Sequence, residues 1–127
     1  WHKWIGLTVL ALAALRLVVR ALRRPPPLPA MPAWQLWAAR TGHGALYALM
    51  FAMPITGWLQ NSAAGFPLTW FGLFKVPALI ARDSADFRFW QSVHEWLAWA
   101  LMALIALHVA AALKHHFIDR DGLLQRM

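Results

Sequence analysis

Cysteine is absent from the 127 residues. That absence removes a disulfide framework, iron–sulfur ligation and thiolate-ligated haem from the chemistry the chain can supply. Charge is nearly as scarce, at 13% of residues, and only five residues are acidic. Soluble domains carry about 25% charged residues, so the composition excludes an ordinary soluble domain. A groove-tracking basic surface is missing as well, because the basic residues cluster at the ends of apolar segments. The formal net charge of +7 therefore does not point to nucleic acid. No internal repeat is found, and P-P-P-L-P-A-M-P is the one low-complexity stretch.

What is present is apolar: 61% hydrophobic residues and nine Trp. The chain reads as an integral membrane protein. A spanning helix takes about 20 residues, so three spans fit and a fourth does not. We expect the first from about Trp4 to Leu22 and the second from Trp34 to Leu59, with Pro54 tolerated inside it. The third runs from about Trp90 to Leu113. The proline run is expected to form an extended connector. Residues 60–89, broken by Gly65, Pro67, Gly72 and Pro77, are expected to form a loop with one or two short interfacial helices, with Trp70, Phe71 and Phe74 at headgroup depth. Arg16, Arg20, Arg23, Arg24, Arg40, Lys114, Arg120 and Arg126 gather at one side, while Lys75, Arg82 and Arg88 on the other are partly offset by Asp83 and Asp86. By the positive-inside rule the Trp1 end lies outside and the Met127 end inside. The apolar run starts almost at once after Trp1, and we expect a further segment before it.

Histidine is the strong iron ligand left in quantity. His94 and His108 stand fourteen residues apart in the third span. At ~1.5 Å rise and ~100° per residue they return to within about 40° of one face and are separated by roughly 21 Å. Two haems stacked across a membrane need such an arrangement. His2 lies at the depth of His94 on another helix, and ionisable residues in membrane spans are costly and commonly functional. A haem iron held by both imidazoles fits the pair. The plainer alternative is an interfacial His2 and a His94 bonded to a backbone carbonyl. His108 sits among small alanines that leave room for a flat macrocycle or serve helix packing. His43, flanked by Gly42 and Gly44, is read as a hydrogen-bonding residue of the haem pocket ahead of an axial ligand. Arg16 lies fourteen residues after His2, at the inner level, where its fork suits a haem propionate; snorkelling to headgroups is the alternative. His115 is either the interfacial end of the helix or a proton and quinone contact.

Three stretches carry a family resemblance. They are H-K-W-I-G at the head of a span ending R-L-V-V-R-A-L-R-R-P, then G-H-G-A-L-Y-A-L-M-F-A-M-P-I-T-G-W, and finally H-E-W-L-A-W-A-L-M-A-L-I-A-L-H-V-A-A-A-L-K-H-H. Together they resemble the bacterial cytochrome b561 family of di-haem inner-membrane cytochromes. The resemblance implies an all-α membrane protein, with residues 1–127 forming a single domain that contributes three transmembrane helices of a four-helix up-and-down haem-binding bundle. It implies that the family's first helix precedes this chain. His2 and His94 then ligate the outer haem iron, and His108 ligates the inner one with a partner from outside the chain. Two haem b groups are implied for the complete protein, one of them fully ligated here. The implied setting is a bacterial inner membrane, with the Trp1 end periplasmic and the Met127 end cytoplasmic.

Some family members resemble superoxide oxidases that pass electrons to ubiquinone; others are membrane partners of dehydrogenases or cytochromes. The expected partners are membrane lipid, quinone or quinol, and another membrane or periplasmic redox protein. The leading expectation is a redox carrier between the quinone pool and the outer face. Its alternative is a haem-binding anchor or electron-transfer subunit of a larger complex, and a haem-free helical bundle is the third reading. No catalytic residue is assigned.

Overall fold

A computed structural model describes residues 1–23 and 32–119. The proline-rich connector and most of the charged tail expected from sequence lie outside the described residues. Three long helices occupy the three predicted segments: α1 (His2–Leu22), α2 (Ala33–Ala64) and α3 (Ser84–Lys114). A short π-helical turn, His115–Asp119, continues α3. Both α1 and the run from Ser84 to Ile118 are long and apolar enough to cross a membrane. With 32 residues, α2 extends about 48 Å, beyond the ~30 Å hydrocarbon core. Its helix continues through Pro54.

Packing places α2 between the other two, along α1 on one side and α3 on the other. Cross-helix contacts give the directions. Lys3 meets Asn61 and Arg16 meets Tyr47, so α1 and α2 run antiparallel. Thr56 meets His94 and His43 meets His108, so α2 and α3 do too. The order is up, down, up, and it brings the starts of α1 and α3 to the same end.

Burial is concentrated near that end. Thr56, Asn61, Ser62 and Ala63 of α2 are buried, whereas α1 buries Ala13 alone and α3 has no fully buried residue among those described. The methyl of Ala13 permits close approach of helices. Leu12, Leu15, Trp96 and Leu107 are each more than half exposed, and on a membrane helix that apolar surface meets lipid. The three buried polar side chains are all partnered. Asn61 accepts from Lys3 Nζ at 2.7 Å and donates to the Phe66 carbonyl at 2.9 Å. Ser62 donates to the Trp58 carbonyl and accepts from the Leu79 amide, and Thr56 joins α2 to α3. Apolar surroundings make such pairing obligatory.

α2 ends at Gly65, whose φ of 74° is the left-handed cap that glycine adopts without a Cβ penalty. Residues 66–83 depart from the sequence expectation. Instead of short interfacial helices they contain an antiparallel hairpin, β1 (Leu68–Trp70) and β2 (Phe74–Val76), in register Leu68↔Val76, Thr69↔Lys75 and Trp70↔Phe74. Positive φ at both Phe71 and Gly72, with Leu73 N–H donating to the Trp70 carbonyl at 3.0 Å, makes a type I′ turn. That turn matches the twist of paired strands. The hairpin sits on α1: Trp70 Nε1 donates to Thr8 Oγ1 at 3.1 Å, and Phe71 packs against Trp4 with ring centres 5.4 Å apart. Trp58 Nε1 donates to the Pro77 carbonyl at 2.9 Å, pinning the far side of the loop to α2.

α3 opens on an N-cap. Asp83 accepts from the Ala85 and Asp86 amides at 2.7 and 3.0 Å, satisfying two otherwise unpaired donors. These bonds, from Asp86 foremost and Ala85 next, hold the Asp83 carboxyl below its ordinary value. A carboxylate whose folded-state value is depressed contributes stability above its unfolded value and loses it as pH falls through the folded one. Hydrogen exchange at Ala85 and Asp86 is therefore expected to be slow at neutral pH and to lose cap-dependent protection below the usual carboxylate range. Asp83→Ala should remove that protection at every pH; pH-independent protection in the native chain would contradict the cap.

Candidate functional site

At the end where the helices converge, His2 begins α1 and His94 lies on α3. Their ring centres are 6.2 Å apart and their planes lie at 88°. A metal–imidazole bond of about 2 Å, plus ~1 Å from nitrogen to ring centre on each side, puts two imidazoles sharing one metal ion roughly 6 Å apart. The observed pair has that spacing.

Each histidine is positioned by neighbouring residues. For His2 it is Lys3, whose ammonium bonds Asn61 Oδ1 and lies 5.5 Å from the centre of the Phe66 ring, tying the start of α1 to the end of α2. For His94 it is the pair Thr56 and Gly57. Thr56 Oγ1 lies 3.0 Å from His94 Nδ1. A Cβ on Gly57 would stand 3.1 Å from His94 Cε1 and 3.4 Å from Nδ1, so the missing side chain is the space the imidazole uses. A cavity of about 630 Å³ borders His2, Gly6, Gly57 and His94, with Met53 and Leu101 among its apolar walls. Paired imidazoles, an apolar wall and glycine-cleared space fit an iron held from both sides in a flat macrocycle.

The second level lies one fourteen-residue interval along the bundle. His43 of α2 faces His108 of α3, with ring centres 5.4 Å apart and planes at 65°. Beside them Arg16 Nε donates to the Tyr47 hydroxyl at 2.9 Å, and the Arg20 guanidinium stands 5.5 Å from the centre of the same phenol ring. Tyr47 lies one helical turn from His43, so both arginines of α1 are gathered at the level of the second histidine pair. His115 opens the π-helical turn after α3 and is half-buried.

The residues singled out in the sequence thus fall into two groups: His2 with His94, and His43 with His108 near Arg16. Three were not singled out. Thr56 and Gly57 lie in the run P-I-T-G-W, where they read as ordinary helix residues. The interval of fourteen that links His94 to His108 also links His43 to Gly57, and applied to α2 it finds the seat of His94. Tyr47, the chain's only tyrosine, was the partner to seek for Arg16.

The sequence profile of the family described as prokaryotic cytochrome b561 matches residues 1–127. Cytochrome b561 homolog 2 of Escherichia coli (strain K12) is 44% identical over 127 residues, covering 99% of this chain and 68% of the relative. Cytochrome b561 homolog 1 of the same organism is 33% identical over 127 residues, covering 99% of this chain and 72% of the relative. A protein of Yersinia pestis named probable superoxide oxidase CybB is 32% identical over 133 residues, covering 100% of this chain and 74% of its own length. With its membrane-length helices and paired histidines, this chain belongs to the prokaryotic cytochrome b561 family, the helical bundles that carry electrons in bacterial membranes and whose cofactor is b-type haem.

Proposed function

We propose that the chain is the greater part of a di-haem cytochrome that moves electrons between the quinone pool and a donor or acceptor at the Trp1 side of the bacterial inner membrane. The observation that carries this reading is the His2–His94 pair, at 6.2 Å, with Thr56 and Gly57 shaping the seat of His94. In this reading His2 and His94 hold one iron. His108 holds a second, its opposite ligand coming from outside residues 1–127. When bound, the haems supply one-electron carriage through iron that changes oxidation state without a vacant coordination position.

The protein's part is positional and electrostatic. The 5.4 Å between the His43 and His108 rings is shorter than the roughly 6 Å of two ligands on one metal, which favours His43 as a pocket residue beside the second haem. Arg16, held through Nε by Tyr47, keeps its terminal nitrogens for a propionate. His115, at the far end of α3, exchanges a proton at the quinone. Lys75, Arg82 and Arg88 give the Trp1 side a positive field. By analogy with the Yersinia pestis relative's name, the substrate there is superoxide: two superoxide anions each give up one electron to become dioxygen, and one quinone takes up the two electrons with two protons to become quinol. The single domain 1–127 acts in this as a unit within its membrane.

Two outcomes are expected. First, His94→Ala and His2→Ala each abolish the same component of the reduced-minus-oxidised b-type band, while His108→Ala removes a different one. Retention of the full band in both His94→Ala and His2→Ala would refute the shared iron. Second, superoxide consumption by the purified protein, with quinone as the acceptor and no partner protein, slows as ionic strength rises, because the screening length falls from about 10 Å at 0.1 M to 3 Å at 1 M. Salt-independent consumption would contradict electrostatic attraction of the anion.

A further inference from the structure

Thr56 is 6% exposed, so no bulk water competes for its hydroxyl, and the contacts of Oγ1 can be assigned by counting protons. Oγ1 lies 2.8 Å from the Ala52 carbonyl, 3.0 Å from the Met53 carbonyl and 3.0 Å from His94 Nδ1. A hydroxyl has one proton and two lone pairs, and carbonyl oxygens can only accept. When His94 carries its proton on Nδ1, the hydroxyl proton goes to the backbone of α2, shared between the two carbonyls or alternating between them. What the hydroxyl then offers His94 is a lone pair, beside the Met53 carbonyl that also accepts from the imidazole.

We propose that Thr56 fixes His94 in its Nδ1–H tautomer, so that Nε2 carries the free lone pair, and that it is thereby the positioning residue for this ligand. The assignment rests on the haem-ligating role given to His94 above. In the opposite tautomer the hydroxyl would have to leave the Ala52 and Met53 carbonyls to donate to Nδ1, and Nε2–H would face the metal position with a proton. The first loses the backbone bonds and the second is incompatible with ligation. Because Thr56 stands on α2 and His94 on α3, the contact also sets the direction of the ring across the helix interface. Gly57 follows in the chain: Thr56 determines which nitrogen is protonated, and Gly57 leaves the room in which the ring stands. An acceptor on the remote nitrogen of a ligating imidazole increases its basicity and favours the oxidised metal.

The test uses the haem-loaded full chain with the variants Thr56→Val, which keeps shape and burial without the hydroxyl, and Thr56→Ser, which keeps the hydroxyl. Thr56→Val is expected to lower haem affinity by about 10–100-fold and to raise the midpoint potential of the haem it faces. Thr56→Ser is expected to match the native protein in both. Native affinity and potential in Thr56→Val, or a Thr56→Ser that behaves like Thr56→Val, would overturn the assignment. His94→Ala measured alongside separates this from failure of the ligation itself. Loss of haem in His94→Ala with a native-like Thr56→Val defeats the tautomer assignment alone, whereas haem retained in His94→Ala defeats both.

Discussion

The constraint on which the rest of the structure depends is that polar groups inside an apolar bundle must be satisfied within the protein. In this chain those partners converge on α2. Thr56 reaches His94 on α3, Asn61 receives Lys3 from α1, and Tyr47 receives Arg16 from α1. None of these α2 residues is read as a ligand, yet together they fix the levels at which the histidines of the outer two helices stand. A buried hydrogen bond typically contributes about 1 kcal/mol net, and leaving one partner unsatisfied costs about 1–3 kcal/mol. The preference for this register over a slipped one therefore comes from the cost of unpaired groups.

The same arrangement explains why so little of the protein is buried. Buried residues gather where α1, α2 and the hairpin meet, and elsewhere leucines, tryptophans and valines face outward. In water such a surface would drive aggregation; in lipid it is the expected solvent contact, and the hydrophobic effect no longer drives the helices together. Small residues such as Ala13 and the polar pairs then carry the association. The hairpin adds a clamp, since Trp70 bonds Thr8 on α1 and Trp58 bonds the Pro77 carbonyl from α2.

Much of the fold was legible in the sequence because membrane helices are set by length and hydropathy. The three predicted segments are the helices α1, α2 and α3. Of these, α1 and the run from Ser84 to Ile118 are long and apolar enough to cross a membrane. Each helix is longer in the structure at one or both ends. Those extensions are mostly polar or aromatic residues with a few alanines, which a hydropathy reading trims. The hairpin was not legible. Its aromatics read as interfacial anchors, and its turn places a phenylalanine, Phe71, at positive φ, where sequence rules look for asparagine or glycine. In the site, the fourteen-residue interval found the two histidine levels and Arg16, since helical rise converts spacing directly into depth. Gly57 lies at the same interval from His43, but Thr56 and Tyr47 do not show themselves by spacing, because their roles come from what faces them across a helix interface.

On the proposed reading His2 and His94, whose ring planes lie 88° apart, would hold a single iron. Imidazole planes set nearly at right angles leave the two iron orbitals that interact with them almost equal in energy, whereas parallel planes split them. Low-temperature electron paramagnetic resonance of the oxidised protein reads that splitting. A highly anisotropic low-spin signal is expected; a rhombic low-spin signal typical of parallel imidazoles, or a high-spin signal from iron lacking one of the two ligands, would contradict a perpendicular pair on one iron.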